Sequence, residues 1–331
     1  MKKLLIWLPG MLSMLAACTE AVEIPARAPE KQAPVRVELH LTTEQQAATR
    51  AMDENCIRDV NLYLYGDTEY HFYFPSVSSP LVFNVLPGNY RSYAIANAGQ
   101  DLGDKNAFKI QFYETAVDVM ESSDAIPMTD RGTWAVDGAG RCTPSSLRVT
   151  RSAAKIAYTI EVADAVAPSL RLRSVQFCNL PLTIRPFDSG SISSTVEANY
   201  YDGEAMPVGN ERRTAGTAYL FENLQGSVDT ITDQKDKCPE NAPACATYLR
   251  ILAERSADKA LVEYIVYPGE NNTSDFNVRR NTWHNLELVI RGENEIDNRV
   301  LVYDGLYYGT ANCHICTGDQ VTFDVTPYRT S

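Results

Sequence analysis

The segment Val35–Leu41 reads VRVELHL and is the clearest pointer to the fold. Apolar and polar residues alternate strictly along it, which is typical of a β-strand with one face buried and the other in water. A proline-containing polar stretch, residues 19–34, precedes the segment, and the polar residues 42–49 follow it. The sequence therefore predicts a strand set apart from the rest of the chain, with four apolar side chains on one face: Val35, Val37, Leu39 and Leu41.

Runs of the same kind recur through the chain, whereas helical periodicity is scarce. They are short, rich in Val, Ile, Tyr and Thr, and bounded by Gly, Pro and Asn turns. They cover residues 57–65, 81–86, 90–97, 147–149, 154–162, 175–180, 246–252, 261–267, 283–290, 300–303 and 321–325. Many short strands separated by turn residues predict an all-β protein with a β-sandwich in each half. Short helices are expected only near residues 43–50 and 115–122.

Length and charge limit the organisation of the chain and its partners. At 331 residues the chain exceeds what one hydrophobic core usually organises, and its 44% hydrophobic content is that of a folded protein. The strand pattern fades after residue 185, so the predicted domains are 51–185 and 186–331. The formal net charge of −12 speaks against a nucleic-acid partner, because phosphate contacts need a basic face.

The N-terminus carries an export signal. Lys2 and Lys3 precede an apolar run over residues 4–17, which is too short to span a membrane and matches the core of a signal peptide. The run ends in LAAC and resembles a bacterial lipobox, in which the cysteine is acylated and the chain is cut just before it. Residues 1–17 are thus the predicted lipoprotein signal peptide, and Cys18 is the predicted lipid attachment that tethers the protein to a membrane. The alternative is an ordinary secretory signal in which Cys18 is incidental.

The residues that could carry chemistry are sparse. Cys238 and Cys245 flank a short loop and could form a disulfide, which an exported protein permits. Cys313 and Cys316 form a lone C-x-x-C, whereas a structural zinc site usually needs two such pairs. The sequence has no nucleophile elbow, nucleotide loop or H-E-x-x-H motif. We therefore expect no catalytic residues, no metal and no cofactor, and the protein is not expected to be an enzyme.

Several segments together resemble the type V fimbrial subunit superfamily, the fimbrillin-like lipoprotein pilins of anaerobic Gram-negative bacteria. The resemblance spans most of the chain and depends on the order of the segments. They are the lipobox at Cys18, ATRAM at residues 48–52, IRDV at 57–60, LPGNY at 86–90, AIAN at 94–97, RSAAKI at 151–156, YLFENLQG at 219–226 and YPGENNTSDFNVRRN at 267–281.

This resemblance implies a fold and an assembly mechanism. Members have two tandem transthyretin-like, or Ig-like, β-sandwich domains and reach the outer membrane as lipoproteins. An Arg-specific protease then removes the lipidated N-terminal segment with its first strand, and a strand of the next subunit fills the groove that remains. In this chain the removed strand would be Val35–Leu41, within residues 18–50, and the cut would follow Arg50, so that the mature chain begins at Ala51.

The expected function is that of a structural or adhesive subunit of a fimbrium at the cell surface. Its expected partners are other fimbrial subunits, together with a ligand on a host or bacterial surface, and both a stalk and a tip position remain open. The alternative is a fimbrial anchor, or a carbohydrate-binding lipoprotein that stays on the outer membrane and never polymerises. Arg50 would then be an uncleaved surface residue, Val35–Leu41 a permanent edge strand, and aromatic residues such as Tyr200, Tyr201 or Trp283 would stack on sugars.

Overall fold

A computed structural model of the chain describes residues 32–43, 56–111, 115–116, 126–188, 190, 193–292, 295–304 and 323–325. Residues 34–331 form one compact unit. The described elements are nearly all strands, which confirms the predicted all-β class. None of the described helices is long and apolar enough to cross a membrane. The predicted lipidation and cleavage residues Cys18, Arg50 and Ala51 lie outside the described residues.

The first sandwich is built from the elements before residue 152. These are β1 (Val35–Thr43), β2 (Val60–Tyr65), β3 (Glu69–Phe74), β4 (Leu81–Val85), β5 (Gly88–Ala96), α1 (Ala107–Gln111), β6 (Thr115–Ala116), β7 (Met128–Val136), β8 (Cys142–Thr143) and β9 (Ser146–Arg151). Seven of these strands pair in the order β3-β2-β5-β7-β9-β1-β4, and β8 pairs with β7. Only two residue pairs join β7 to β9. Residues from both ends of this path share one core, so the sheet folds over on itself as a sandwich.

The second sandwich follows directly. Its elements are β10 (Ala153–Val162), β11 (Leu170–Cys178), β12 (Leu180–Pro181), β13 (Thr183–Ile184), β14 (Tyr200–Tyr201), β15 (Met206–Pro207), β16 (Arg213–Phe221), β17 (Tyr248–Arg255), β18 (Leu261–Val266), β19 (Thr282–Gly292), β20 (Glu295–Asp304) and β21 (Phe323–Val325), with 3₁₀ turns at Glu197–Asn199 and Gln234–Asp236. One sheet has the order β16-β10-β19-β20-β21 and the other β15-β11-β17-β18. Strands of both sheets contribute to one core, as a sandwich requires.

The chain passes from one core to the other between Val149, which lies in the first, and Ala154, which lies in the second. This change falls at the junction of β9 and β10, where the buried Arg151 donates from Nη1 to Asn281 Oδ1 at 3.2 Å. Residues 34–331 form a single compact unit that is not divided further. The predicted division into 51–185 and 186–331 therefore stays a prediction. The helix expected near 115–122 is wrong at Thr115–Ala116, which form β6 against β13, and the described α-helix is instead α1.

A short segment of the second half, residues 185–188, contacts both sandwiches and is called the strap below. Phe187 packs edge-on against Tyr93 of β5, with ring centroids 5.2 Å apart. From the first sandwich, Arg131 Nη1 donates to the carbonyl of Phe187 at 2.6 Å. From the second sandwich, Arg280 Nη1 donates to the carbonyl of Pro186 at 2.7 Å. The strap is therefore bound from both sides, and it lies beside a cleft described below.

Candidate functional site

The first strand, β1, lies between β9 and β4 in the strand order, and each of its residues pairs with one of these two strands. Its first half, Val35–Leu39, pairs antiparallel with β4, from Val35 opposite Val85 to Leu39 opposite Leu81. Its second half, residues 40–43, pairs parallel with β9. β4 is the terminal strand on this side of the sheet, so β1 is not the last strand in the order, and whether it stays in place permanently remains a prediction. The sequence pattern had shown that one face is buried, but it carries no information on the neighbours of the strand.

The burial of β1 follows the predicted alternation. Val37 and Leu39 are 0% exposed and belong to the first core, while Val35 and Leu41 are half-buried and pack against it. The intervening Arg36, Glu38 and His40 are exposed. Because burying a Val or Leu side chain contributes about 1.5–3 kcal/mol, these contacts bind β1 strongly to the sandwich.

The outer face of β1 contributes little to stability. Arg36 and Glu38 form an ion pair at 3.0 Å, but their side chains are 66% and 54% exposed. Ion pairs in such positions contribute at most about 1 kcal/mol. The attachment of β1 is therefore determined by its inward apolar side chains and by its backbone pairing.

One residue that holds β1 in place was not recognised from the sequence. Gly140 lies in the turn between β7 and β8 with φ +78°, and a Cβ added there would lie 2.1 Å from the carbonyl oxygen of Arg36. Only glycine allows both this backbone conformation and this close approach. Asp137 shapes the same turn, because its Oδ1 accepts hydrogen bonds from the backbone of Ala139 and Arg141 at 2.9 and 2.8 Å.

Removing β1 would leave a groove with a defined chemistry. Leu81, Phe83 and Val85 of β4 would border the part that residues 35–39 now fill, and Leu147 and Val149 of β9 would border the part that residues 40–43 fill. The backbone groups that now pair with β1 would lose their partners. An extended segment with apolar residues at alternate positions could restore both the pairing and the packing, which is β-augmentation.

The predicted disulfide is not formed in this structure. Cys238 and Cys245 are both free thiols, the first half-buried and the second buried. Asn241 Nδ2 donates to Cys238 Sγ at 3.6 Å. Burial raises the pKa of both thiols, which lowers their thiolate fraction and hence their reactivity. Cys313 and Cys316 lie outside the described residues.

The aromatic residues named as sugar platforms are half-buried, and of the three only Tyr200 lines the cleft described below. Tyr200 and Tyr201 are half-buried, and Tyr201 packs against the second core. The Tyr200 hydroxyl donates to the Ser194 carbonyl and accepts from Gln225 Nε2 at 2.9 Å. Trp283 is half-buried as well, with Lys155 Nζ 5.1 Å from its ring centroid. These three side chains are therefore part of internal contacts in the second sandwich.

Comparison with known proteins finds one matching domain family and several solved structures of similar fold. A domain family of unknown function, DUF4906, matches residues 218–288, and no curated protein matches the chain. A proposed cell adhesion protein from Parabacteroides distasonis is 12% identical, with a TM-score of 0.58 over 82% of this chain and 99% of that one. The tip fimbrial protein Mfa3 from Porphyromonas gingivalis, with a C-terminal truncation, is 12% identical, with a TM-score of 0.50 over 82% of this chain and 100% of that one.

A fimbrilin, FimA, from Porphyromonas gingivalis W83 gives the same result, with 15% identity and a TM-score of 0.51 over 78% of this chain and 90% of that one. At such identities the likeness is one of fold. The chain is an all-β protein of the fimbrilin-like fold. Its structural neighbours are fimbrilins, tip fimbrial proteins and proposed adhesion proteins from Bacteroidales, as the resemblance in sequence predicted.

Proposed function

We propose that this protein is a structural or adhesive subunit of a surface fimbrium. In this proposal it is exported as a lipoprotein acylated at Cys18, is cut after Arg50, and joins other subunits by donor-strand exchange. The observation that carries the proposal is the place of β1: an N-terminal strand lies between β9 and β4 in the strand order, with Val37 and Leu39 fully buried, and precedes the proposed cut in the chain. The fimbrilin-like fold supports it.

The geometry gives such a cut a physical consequence. Arg50 lies between β1, which ends at Thr43, and β2, which begins at Val60. After cleavage, β1 would be attached to the sandwich only by its hydrogen bonds and its four apolar side chains. A strand from another subunit could then take its place between β4 and β9. Because each subunit would receive a strand at one place and give one at another, the contact would not close on itself and a filament would result.

The role proposed is non-enzymatic and places the protein at the outer membrane and then in the fimbrium. Its partners would be other fimbrial subunits, with the lipid on Cys18 holding it to the membrane before maturation. A surface ligand on a host or bacterial cell would be the target of an adhesive subunit.

The N-terminus of the protein recovered from cell surfaces tests the proposal. We expect Ala51 in the wild-type protein, measured by N-terminal sequencing or intact mass. Arg50→Lys keeps the charge but removes the target of an Arg-specific protease, so it should retain an acylated Cys18 and stay out of filaments. Arg58→Lys is the matched control, since it makes the same change in a described, exposed residue close by, and it should mature normally.

The deep burial of Val37 and Leu39 also fits a second role, in which β1 stays in place for the life of the protein. The chain would then be a fimbrial anchor or a separate outer-membrane lipoprotein. Acylated Cys18 on the wild-type protein, with Arg50→Lys indistinguishable from it in assembly, would establish this second role and rule out strand exchange at β1.

A further inference from the structure

A polar cleft of about 450 Å³ lies beside the strap, on the second sandwich. Its lining includes Thr183 of β13, Ser193, Ser194 and Asn199 from the segment before β14, and Tyr200 of β14 itself. A cavity of this size lies in the range of small-ligand sites, about 300–1,000 Å³. Nothing in the proposed strand exchange uses it, because β1 belongs to the other sandwich.

The hydroxyl and amide groups of the cleft are held in fixed positions. Ser193 Oγ accepts from the backbone N–H of Leu224 at 2.8 Å. Ser194 Oγ accepts from Val196 N at 3.1 Å and from Asn199 Nδ2 at 2.7 Å. Each of these hydroxyls acts as an acceptor here, which leaves its hydrogen able to donate to a ligand. The wall therefore offers donors and acceptors close together on a pre-organised segment.

The charged groups of the cleft are already balanced. Glu222 Oε1 accepts from Arg280 Nη2 at 2.7 Å, and both side chains are nearly buried, at 8% and 11% exposure. Arg185 Nη1 lies 3.7 Å from Asp188 Oδ2. Since each arginine faces a carboxylate, the lining has no excess of either sign to bind a phosphate, a carboxylate or a cation. The cancelling charges of the lining thus favour a neutral ligand over an ion.

The strap and the salt bridge also fix the floor of the cleft. Arg280 Nη1 donates to the Pro186 carbonyl at 2.7 Å, and Arg280 N donates to Glu222 Oε2 at 3.1 Å. The guanidinium is therefore held on two sides by the chain itself. A ligand would meet a rigid surface, which reduces the entropy cost of binding.

We propose that this cleft binds a neutral oligosaccharide. Sugar hydroxyls donate and accept at once, which matches the mixture of serine and threonine hydroxyls, an asparagine amide and paired charges. A peptide would need a free strand edge or apolar sockets for its side chains, and this lining is mostly polar. The inference rests on the proposed function in one respect: an adhesive subunit would use this cleft to bind a glycan on another cell surface.

The test uses the full protein purified from producing cells and an array of immobilised lactose, N-acetyllactosamine, mannotriose and maltotriose, with sialyllactose as an acidic comparison. The oligosaccharide that binds best is then titrated by calorimetry. Thr183→Val removes one exposed hydroxyl of the lining at nearly constant shape and should weaken binding about two- to tenfold, as expected for one neutral hydrogen bond. Thr195→Val is the matched control, because Thr195 is exposed and is not part of the lining.

A second variant, Asn199→Ala, removes an amide from the same wall and should weaken binding at least as much as Thr183→Val. Both variants are checked for unchanged urea unfolding, so that a lost site is not confused with a lost fold. The proposal is overturned if none of the neutral sugars binds the folded protein, if only sialyllactose binds, or if Thr195→Val weakens binding as much as Thr183→Val. Because binding is measured on the purified subunit, failure here leaves the N-terminal test of strand exchange unaffected.

Discussion

The contribution of β1 to stability can be measured with Leu39→Ala. Leu39 is 0% exposed in the first core, and the substitution removes three carbon atoms from it. At about 0.8 kcal/mol per buried methylene, the transfer loss alone is about 2.4 kcal/mol. The cavity left behind adds to this, and buried Leu→Ala changes typically cost about 2–5 kcal/mol in total. We therefore expect a loss of about 3 kcal/mol in the free energy of unfolding.

The assay is urea unfolding of the uncleaved chain, followed by circular dichroism. Glu38→Ala is the matched control, since Glu38 is the exposed neighbour on the same strand and should change stability by no more than about 0.5 kcal/mol. After cleavage at Arg50, the same Leu39→Ala change should also speed the release of β1, at most about 150-fold for 3 kcal/mol. If Leu39→Ala unfolds at the same urea concentration as Glu38→Ala, then β1 is not packed in the core and the reasoning fails.

Three further outcomes are expected. Gly140→Ala should lose about 2 kcal/mol or more, because its φ of +78° disfavours a side chain and its Cβ would meet the Arg36 carbonyl. Gly138→Ala, with open space around it, should leave the urea midpoint almost unchanged; equal midpoints for the two variants would contradict the contact. Burial lowers the pKa of His284 to about 4, so between pH 6.5 and about pH 4 the unfolded chain binds a proton at this residue and the native chain does not. The free energy of unfolding should therefore fall by about 3 kcal/mol as the pH is lowered through this range. His284→Gln should reduce this fall, and an identical pH profile in the variant would refute this cause. Phe187→Ala should cost about 3 kcal/mol and split the calorimetric unfolding into two transitions, whereas a single transition in the variant would mean that the strap does not couple the sandwiches.

The sequence predicted the parts of the fold that depend on local pattern. The alternation in Val35–Leu41 was enough to identify which side chains of β1 are buried, because side chains on a strand point to opposite faces in turn. The fimbrilin-like architecture followed from the order of several weak segments. Both conclusions need only residues that are close together in the chain.

Features that depend on contacts between residues far apart in the chain could not be predicted from the sequence. The pairing of β1 with β4 joins residues 42 to 50 positions apart, and its pairing with β9 joins residues 106 positions apart. The role of Gly140 depends on the close approach of its backbone to the Arg36 carbonyl, which no sequence motif indicates. The contacts of the strap with Tyr93 and Arg131 form only when both sandwiches are in place, and the Arg280–Glu222 pair joins residues 58 positions apart within the second sandwich.

The tether between β1 and β2 suggests why proteolysis would be needed before exchange. While residues 44–59 join the two strands, β1 competes for its groove as part of the same molecule, at an effective concentration of about 1 mM. A donor strand at about 1 μM would then be at a disadvantage of about a thousandfold, or about 4 kcal/mol, even with equal contacts. A cut after Arg50 removes this advantage, because a released β1 dilutes away and cannot return at the same rate. In the proposed mechanism the apolar contacts of Val37 and Leu39 would keep the groove closed during export, and cleavage would determine when it becomes available to another subunit.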